Sequence, residues 1–158
     1  MRTRVMFFCL GNICRSPLAE ALFRYHVEAR GLGDGFEIAS SGTSGYHVGE
    51  PPDPGSVRVA RERLGLDISG QRAQQLVGAH VQSYDWLVAM DGANLRDARR
   101  LPGGDGGRLV LLRDYEPDAS LRSRDVPDPW GGGPEHFERV FEMVERCTAT
   151  LLDAIVAR

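Results

Sequence analysis

Eight residues near the start of the chain, Cys9-Leu10-Gly11-Asn12-Ile13-Cys14-Arg15-Ser16, bring a thiol, a guanidinium and a hydroxyl into one short stretch. An apolar run, Val5-Met6-Phe7-Phe8-Cys9, precedes them, and Ser16-Pro17 opens the next segment. Continuous branched and aromatic residues read as a buried parallel strand. Ser before Pro reads as a helix start, with Ser16 as a cap and Pro17 in the first turn. The thiol of Cys9 therefore stands at a strand end, before a tight loop and a helix N-terminus. Successive backbone N–H groups in such a loop converge into an anion nest, and the helix dipole adds positive potential. With Arg15 nearby, both favour the thiolate of Cys9. The planar fork of Arg15 can grip two oxygens of a tetrahedral oxyanion. Ser16 can donate to the thiolate. Gly11 allows close backbone approach, and Asn12 tolerates a left-handed conformation while its amide braces the loop. Leu10, Ile13 and Cys14 complete the cradle. The chemistry this permits is attack by sulfur on a bound tetrahedral oxyanion.

The rest of the composition narrows the field. The chain has 158 residues, 42% hydrophobic and 26% charged, enough for one domain over 1–158 with a real core. Its net charge of −3 leaves no basic excess for binding nucleic acid. All 19 basic residues are Arg, so P-loop NTPases, Schiff-base enzymes and lysine nucleophiles are excluded together. Three cysteines, Cys9, Cys14 and Cys147, draw neither a disulfide framework nor a zinc pattern. The four histidines, at 26, 47, 80 and 136, show no metal-ligand spacing. No metal site or cofactor is expected. No apolar run approaches a membrane span, and the N-terminal apolar stretch is too short for a secretory signal. The expected location is the reducing cytoplasm, with no membrane partner.

The cradle needs a scaffold. Strands are expected over 5–9, 36–40, 86–90 and 109–112, and helices over 17–30, 57–64 and 93–101. A short helix is expected over 71–77. In the first helix Leu18, Leu22, Tyr25 and Ala29 follow at helical spacing. The last helix is the clearest, with Phe137, Val140, Phe141, Val144, Leu151, Leu152 and Ile155 in one stripe, and Cys147 on or beside it. Two long loops, 42–55 and 115–133, separate these elements. Strands alternating with helices make an α/β fold: a four-stranded parallel twisted sheet with helices on both faces. Ligands then bind beyond the carboxyl ends of the strands, where the phosphate-binding loop after the first strand lies.

Four segments in this order resemble the low-molecular-weight protein tyrosine phosphatase family. They are Phe8 to Pro17, Ser40-Ser41-Gly42-Thr43-Ser44-Gly45-Tyr46-His47-Val48-Gly49-Glu50-Pro51-Pro52-Asp53, Met90-Asp91 with Asn94-Leu95, and Val126-Pro127-Asp128-Pro129. The resemblance implies a phosphotyrosine-containing protein substrate and a phosphocysteine intermediate on Cys9. It implies oxyanion stabilisation by Arg15 and the loop N–H groups, and proton transfer by Asp128, without a metal. The prolines on either side stiffen the backbone around Asp128. Asp125 is the only close rival, and Asp114 and Asp118 stand further off the motif. Tyr46 and Trp130 are the implied walls of the substrate cleft. The resemblance further implies a reversible Cys9–Cys14 disulfide under oxidation, beside the plainer reading of Cys14 as a small buried side chain. Monomers are the usual state in such proteins.

Two departures stand out. The family's Asp-Pro-Tyr-Tyr is replaced by Asp128-Pro129-Trp130-Gly131, so one wall is larger and the second ring is missing. Gln71 stands where many members carry a His that braces the phosphate loop. Other activities share this kind of loop. Arsenate reductases need further cysteines as an electron relay, and 78–90 contains none. Arginine phosphatases carry Thr where Ile13 stands. A non-catalytic phosphate-binding module would lack the nucleophile or the acid, and both are present.

Overall fold

The computed structural model describes residues 1–105 and 108–158. Strand β1 (Thr3–Cys9) is buried from Val5 onward. Because side chains alternate across a strand, Val5, Phe7 and Cys9 join one core and Met6 and Phe8 join another. A strand covered on both faces needs apolar residues at every position, which is why its sequence does not alternate.

β1 lies between β2 (Phe36–Gly42) and β3 (Trp86–Ala89), and β4 (Leu109–Leu111) pairs with β3, giving the order β2-β1-β3-β4. All pairs are parallel, with Val5 opposite both Ile38 and Trp86. Chain direction across the sheet reverses between β1 and β3. The loops leaving those two strands therefore diverge and open a crevice at their carboxyl ends.

One face is covered by α1 (Arg15–Ala29), α2 (Pro54–Leu64) and α5 (Pro134–Val156), whose Leu18, Val59 and Val144 meet Phe7 in the larger core. The other carries α3 (Gly78–Ser83) and α4 (Gly92–Arg99), where Val81 and Ala98 join Met6 and Phe8. Each fully buried Leu, Phe or Met contributes about 1.5–3 kcal/mol, so β1 and α5 carry much of the stability. Cys147 is fully buried in α5, and burial pushes its thiol up to about 12. The thiol stays protonated and packs as a small apolar group.

Several boundaries differ from the sequence expectation. In α1 the buried positions beyond Pro17 are Leu18, Ala19, Leu22, Phe23 and Val27, whereas Tyr25 and Ala29 are exposed. The helix is rotated so that Phe23 packs on Phe7, with ring centroids 5.4 Å apart. α2 begins three residues early because Asp53 caps it, accepting from Gly55 N at 2.8 Å, with Pro54 in the first turn. The 71–77 segment is extended rather than helical. Gly42 N donates to Gln74 O at 2.8 Å and Leu76 N to Gly42 O at 2.7 Å, so this strip continues the sheet past the end of β2. β4 stops at Leu111, and a 3-10 turn, Leu112–Tyr115, follows.

Gly42 marks where the sheet meets the 10–14 loop. A Cβ there would stand 2.7 Å from Leu10 O and 3.0 Å from Gly11 C. These are backbone atoms with no freedom to rotate away. Gly42→Ala is expected to lower stability by about 1–3 kcal/mol, read as a shift in the urea unfolding midpoint at unchanged m-value.

Candidate active site

The loop between β1 and α1 turns on Asn12, whose φ of 58° lies in the left-handed region. Its side chain holds it there. Asn12 Nδ2 donates to Ser16 Oγ at 2.8 Å and to Ser40 Oγ at 3.0 Å, and Asn12 Oδ1 accepts from Gln74 N at 3.0 Å. Ser40 Oγ passes the chain on to Glu20 Oε1 at 2.7 Å. The loop's carbonyls are drawn outward: Cys9 O accepts from Thr43 N at 2.8 Å, Leu10 O from Ser44 N at 2.9 Å, and Ile13 O from Asp53 N at 2.8 Å. Cys14 O accepts from Ser56 Oγ at 2.9 Å. Outward carbonyls suit a loop whose N–H groups converge on an anion.

Ser16 does not cap α1. The helix begins at Arg15, its N-cap residue Cys14 makes no side-chain capping bond, and Ser16 Oγ lies 3.1 Å from Cys9 Sγ. The hydroxyl serves the thiol instead of the helix end. Burial, with Asp53 and Asp128 adding to it, pushes the Cys14 thiol well above its ordinary range.

Arg15 is 3% exposed. Its NH1 donates to Asp91 Oδ2 at 2.7 Å and to Val126 O at 3.0 Å, and its NH2 lies 3.8 Å from Asp128 Oδ2. Burial opposes its charge, but Cys9, Asp91 and Asp128 outweigh that and raise its pKa. Arg15 Nε is buried without a protein acceptor. Asp91 leaves β3 and also caps α4, its Oδ1 accepting from Asn94 N at 2.7 Å. Asp125 is occupied elsewhere, accepting from Gly92 N at 2.9 Å. Among the described residues Asp128 accepts a hydrogen bond only from the nearby Trp130 N, at 3.1 Å, and its side chain is 46% exposed.

Cys9, Leu10, Gly11, Ile13, Cys14, Arg15, Asp128, Tyr46 and Trp130, all singled out from the sequence, line one cleft of about 210 Å³. Asn12 and Ser16 stand behind it as braces. Tyr46 is 81% exposed and Trp130 64%, so both rings stand free at the rim. His47, not foreseen, also lines the cleft. A Cβ on Gly11 would lie 2.9 Å from His47 Cδ2, so Gly11 makes room for that ring. Asp91, Ser40, Glu20 and Gln74 were given no role from the sequence. Ser40 and Asp91 stand in segments that carry the family resemblance, and Asp91-x-x-Asn94 also forms a capping pattern. Among the described residues, no group of three or more His, Cys, Asp or Glu side chains is placed to hold a metal ion. Nor is any helix among them long and apolar enough to cross a membrane.

Residues 4–158 match the family described as low molecular weight phosphotyrosine protein phosphatase. The chain belongs to that family. A low molecular weight protein-tyrosine-phosphatase of Streptomyces coelicolor is 44% identical, covering 98% of this chain and 94% of its own. The crystal structure of YfkJ from Bacillus subtilis superposes with a TM-score of 0.90 at 34% identity, covering 99% and 96%. A protein tyrosine phosphatase from Entamoeba histolytica superposes with a TM-score of 0.91 at 28% identity, covering 98% and 97%. The phosphatase is thus a cysteine-based enzyme whose substrate class is phosphoprotein. Its departure at Gln71 has a structural consequence. Gln71 Nε2 donates to Pro17 O at 3.2 Å, while its Oε1 is buried and unpartnered. Gln71 braces the first turn of α1, and Gln74 rather than Gln71 holds Asn12.

The left-handed turn gives a test that separates conformation from bonding. Asn12→Ala and Asn12→Gly both remove the three side-chain bonds, each worth about 0.5–1.5 kcal/mol. Only Ala adds the left-handed penalty of about 1–2 kcal/mol. Both variants are expected to lose stability in urea unfolding and to bind inorganic phosphate more weakly by calorimetry. Asn12→Ala should be the less stable by about 1 kcal/mol.

Proposed function

We propose that residues 1–158 act as one phosphatase domain that hydrolyses phosphotyrosine in proteins, with Cys9 as nucleophile, Arg15 as oxyanion clamp and Asp128 as proton donor. One observation carries this reading: Cys9, Arg15 and Asp128 line the same cleft, with the acid 3.8 Å from the clamp. In the first step Cys9 Sγ attacks phosphorus in line. The phosphorus–oxygen bond to the tyrosine breaks, and its electron pair leaves with the phenolic oxygen, which takes the proton of Asp128. In the second step the Asp128 carboxylate takes a proton from water. That water attacks phosphorus, the phosphorus–sulfur bond breaks, and Cys9 departs as the thiolate with Ser16 Oγ beside it.

Arg15 and the loop N–H groups stabilise the equatorial oxygens through both steps. The unpartnered Nε of Arg15 is a donor that such an oxygen would satisfy. Positive charge therefore comes from the chain itself and requires no metal. Burial disfavours ionisation of the Cys14 thiol and so disfavours it as a nucleophile. Tyr46 and Trp130 offer ring faces to an aromatic leaving group, and Leu10, Ile13 and Cys14 line the cleft between them, with Ser16 behind as a brace. A reducing, cytoplasmic setting suits an enzyme whose three thiols are free. A monomer agrees with a cleft in which nucleophile, clamp and acid come from the same chain.

Hydrolysis of p-nitrophenyl phosphate and of a phosphotyrosine peptide in EDTA tests the assignment. Wild type is expected to keep full activity after chelation, and Cys9→Ser to lose turnover while still binding phosphate. Asp128→Ala is expected to lose about 10²–10⁴-fold in kcat/KM on the peptide. Activity abolished by chelation, or retained by Cys9→Ser, would overturn the reading.

A further inference from the structure

Asp128 lies in a segment without regular structure, yet the residues just before it are tied on several sides. From the sheet side, Val126 N donates to Met90 O at 2.8 Å, Gly92 N to Asp125 Oδ1 at 2.9 Å, and Arg15 NH1 to Val126 O at 3.0 Å. A further tie comes from Arg113, in the turn after β4. Its NH1 donates to Asp125 O at 3.0 Å and contacts Met143 Sδ of α5 at 2.9 Å, and its NH2 donates to Leu121 O at 3.4 Å. Arg113 is 5% exposed. Its charge is met by Glu116, whose Oε1 lies 3.0 Å from Arg113 Nε and whose side chain is fully buried. Arg146 of α5 grips both oxygens of that carboxylate, at 3.0 and 3.3 Å.

A buried ion group of this kind is poor value as a stabiliser, because an apolar side chain of similar volume fills the same space without desolvating charge. What an apolar side chain cannot do is hold backbone carbonyls. Arg113 holds two, and one belongs to Asp125, three residues ahead of Asp128. The intervening Pro127 and the following Pro129 stiffen the link, so a shift at Asp125 carries through to the carboxyl. Beyond Trp130, the Gly131-Gly132-Gly133 run has no side chain with which to anchor the segment.

We infer that Arg113 is a positioning residue for the phosphatase reaction: a buried guanidinium, neutralised by Glu116, that fixes the Asp125 carbonyl and so sets where Asp128 stands relative to Cys9 and Arg15. The inference rests on the proposed role of Asp128 as proton donor. It assigns to Arg113 no contact with substrate.

A misplaced acid has a signature that general destabilisation lacks. Phenolate is a far more basic leaving group than p-nitrophenolate and depends more on protonation. Arg113→Lys keeps a cation opposite Glu116 but cannot hold both carbonyls with a planar fork. Measured on the full chain, its kcat/KM is expected to fall about tenfold more for phenyl phosphate than for p-nitrophenyl phosphate. Competitive inhibition by inorganic phosphate should stay within about twofold of wild type, since the loop that holds the anion is untouched. In an Asp128→Ala background, adding Arg113→Lys should change neither rate. Arg113→Gln, which retains one donor arm, is scored by the same selectivity and serves if the Lys variant does not melt cooperatively. Equal losses on the two esters, or losses that multiply with Asp128→Ala, would overturn the inference. If Asp128→Ala alone shows no preference for the better leaving group, the acid assignment falls, and the role of Arg113 falls with it.

Discussion

The site depends on one buried cation placed where three segments end. Arg15 begins α1, and its guanidinium reaches the Asp91 carboxylate after β3 and the Val126 carbonyl ahead of Asp128. A guanidinium so thoroughly removed from water is tolerable only when its charge is paired, here by Asp91 and the Val126 carbonyl. That requirement fixes the relative positions of the phosphate loop, the β3 exit and the acid segment. The parallel sheet makes this possible, because its order brings the carboxyl ends of β1 and β3 side by side.

Around that cation the chain builds a rigid floor and an open rim. The floor is held by short side-chain bonds from Glu20 through Ser40 and Asn12 to Ser16, and by the outward carbonyls bonded to 43–56. These bonds keep the donors in place before an anion arrives, so little reorganisation is left for the reaction. The rim is different. Tyr46 and Trp130 stand largely in water, and Gly131, at φ 79°, follows Trp130 without a second ring. Rigid floor and sparse rim together suit an enzyme that binds the phosphoryl group tightly and the flanking peptide loosely. The two exposed rings give that rim flat apolar faces.

The parts legible in the sequence are those where one physical demand dominates. β1 could be read because a strand buried on both faces must be apolar throughout. The Cys9–Ser16 stretch could be placed because a buried strand end, a left-handed Asn and a helix start demand one tight loop between them. α5 could be read from its unbroken stripe. The phase of α1 could not, because Tyr25 looks apolar in sequence and only packing against Phe7 shows that Phe23 faces the core. The 71–77 strip misled for a similar reason. Its propensities are neutral, and its extended form comes from backbone bonds to Gly42, Gly49 and Glu50, which are distant in sequence. Buried charges were the least legible. Arg113 and Glu116 look like surface residues until their partners are located, since charged side chains are seldom found inside unless paired.

The central claim is that sulfur of Cys9, and no other group in the cleft, carries the phosphoryl group between substrate and water. Rapid acid quench of the enzyme with a phosphotyrosine peptide, followed by fragmentation mass spectrometry of the peptide spanning Val5 to Arg15, tests it most directly. The account predicts phosphate on Cys9, appearing within the first turnover and absent from Cys14. Phosphate on Cys14, or steady turnover with no covalent phosphoenzyme at any quench time, would contradict it.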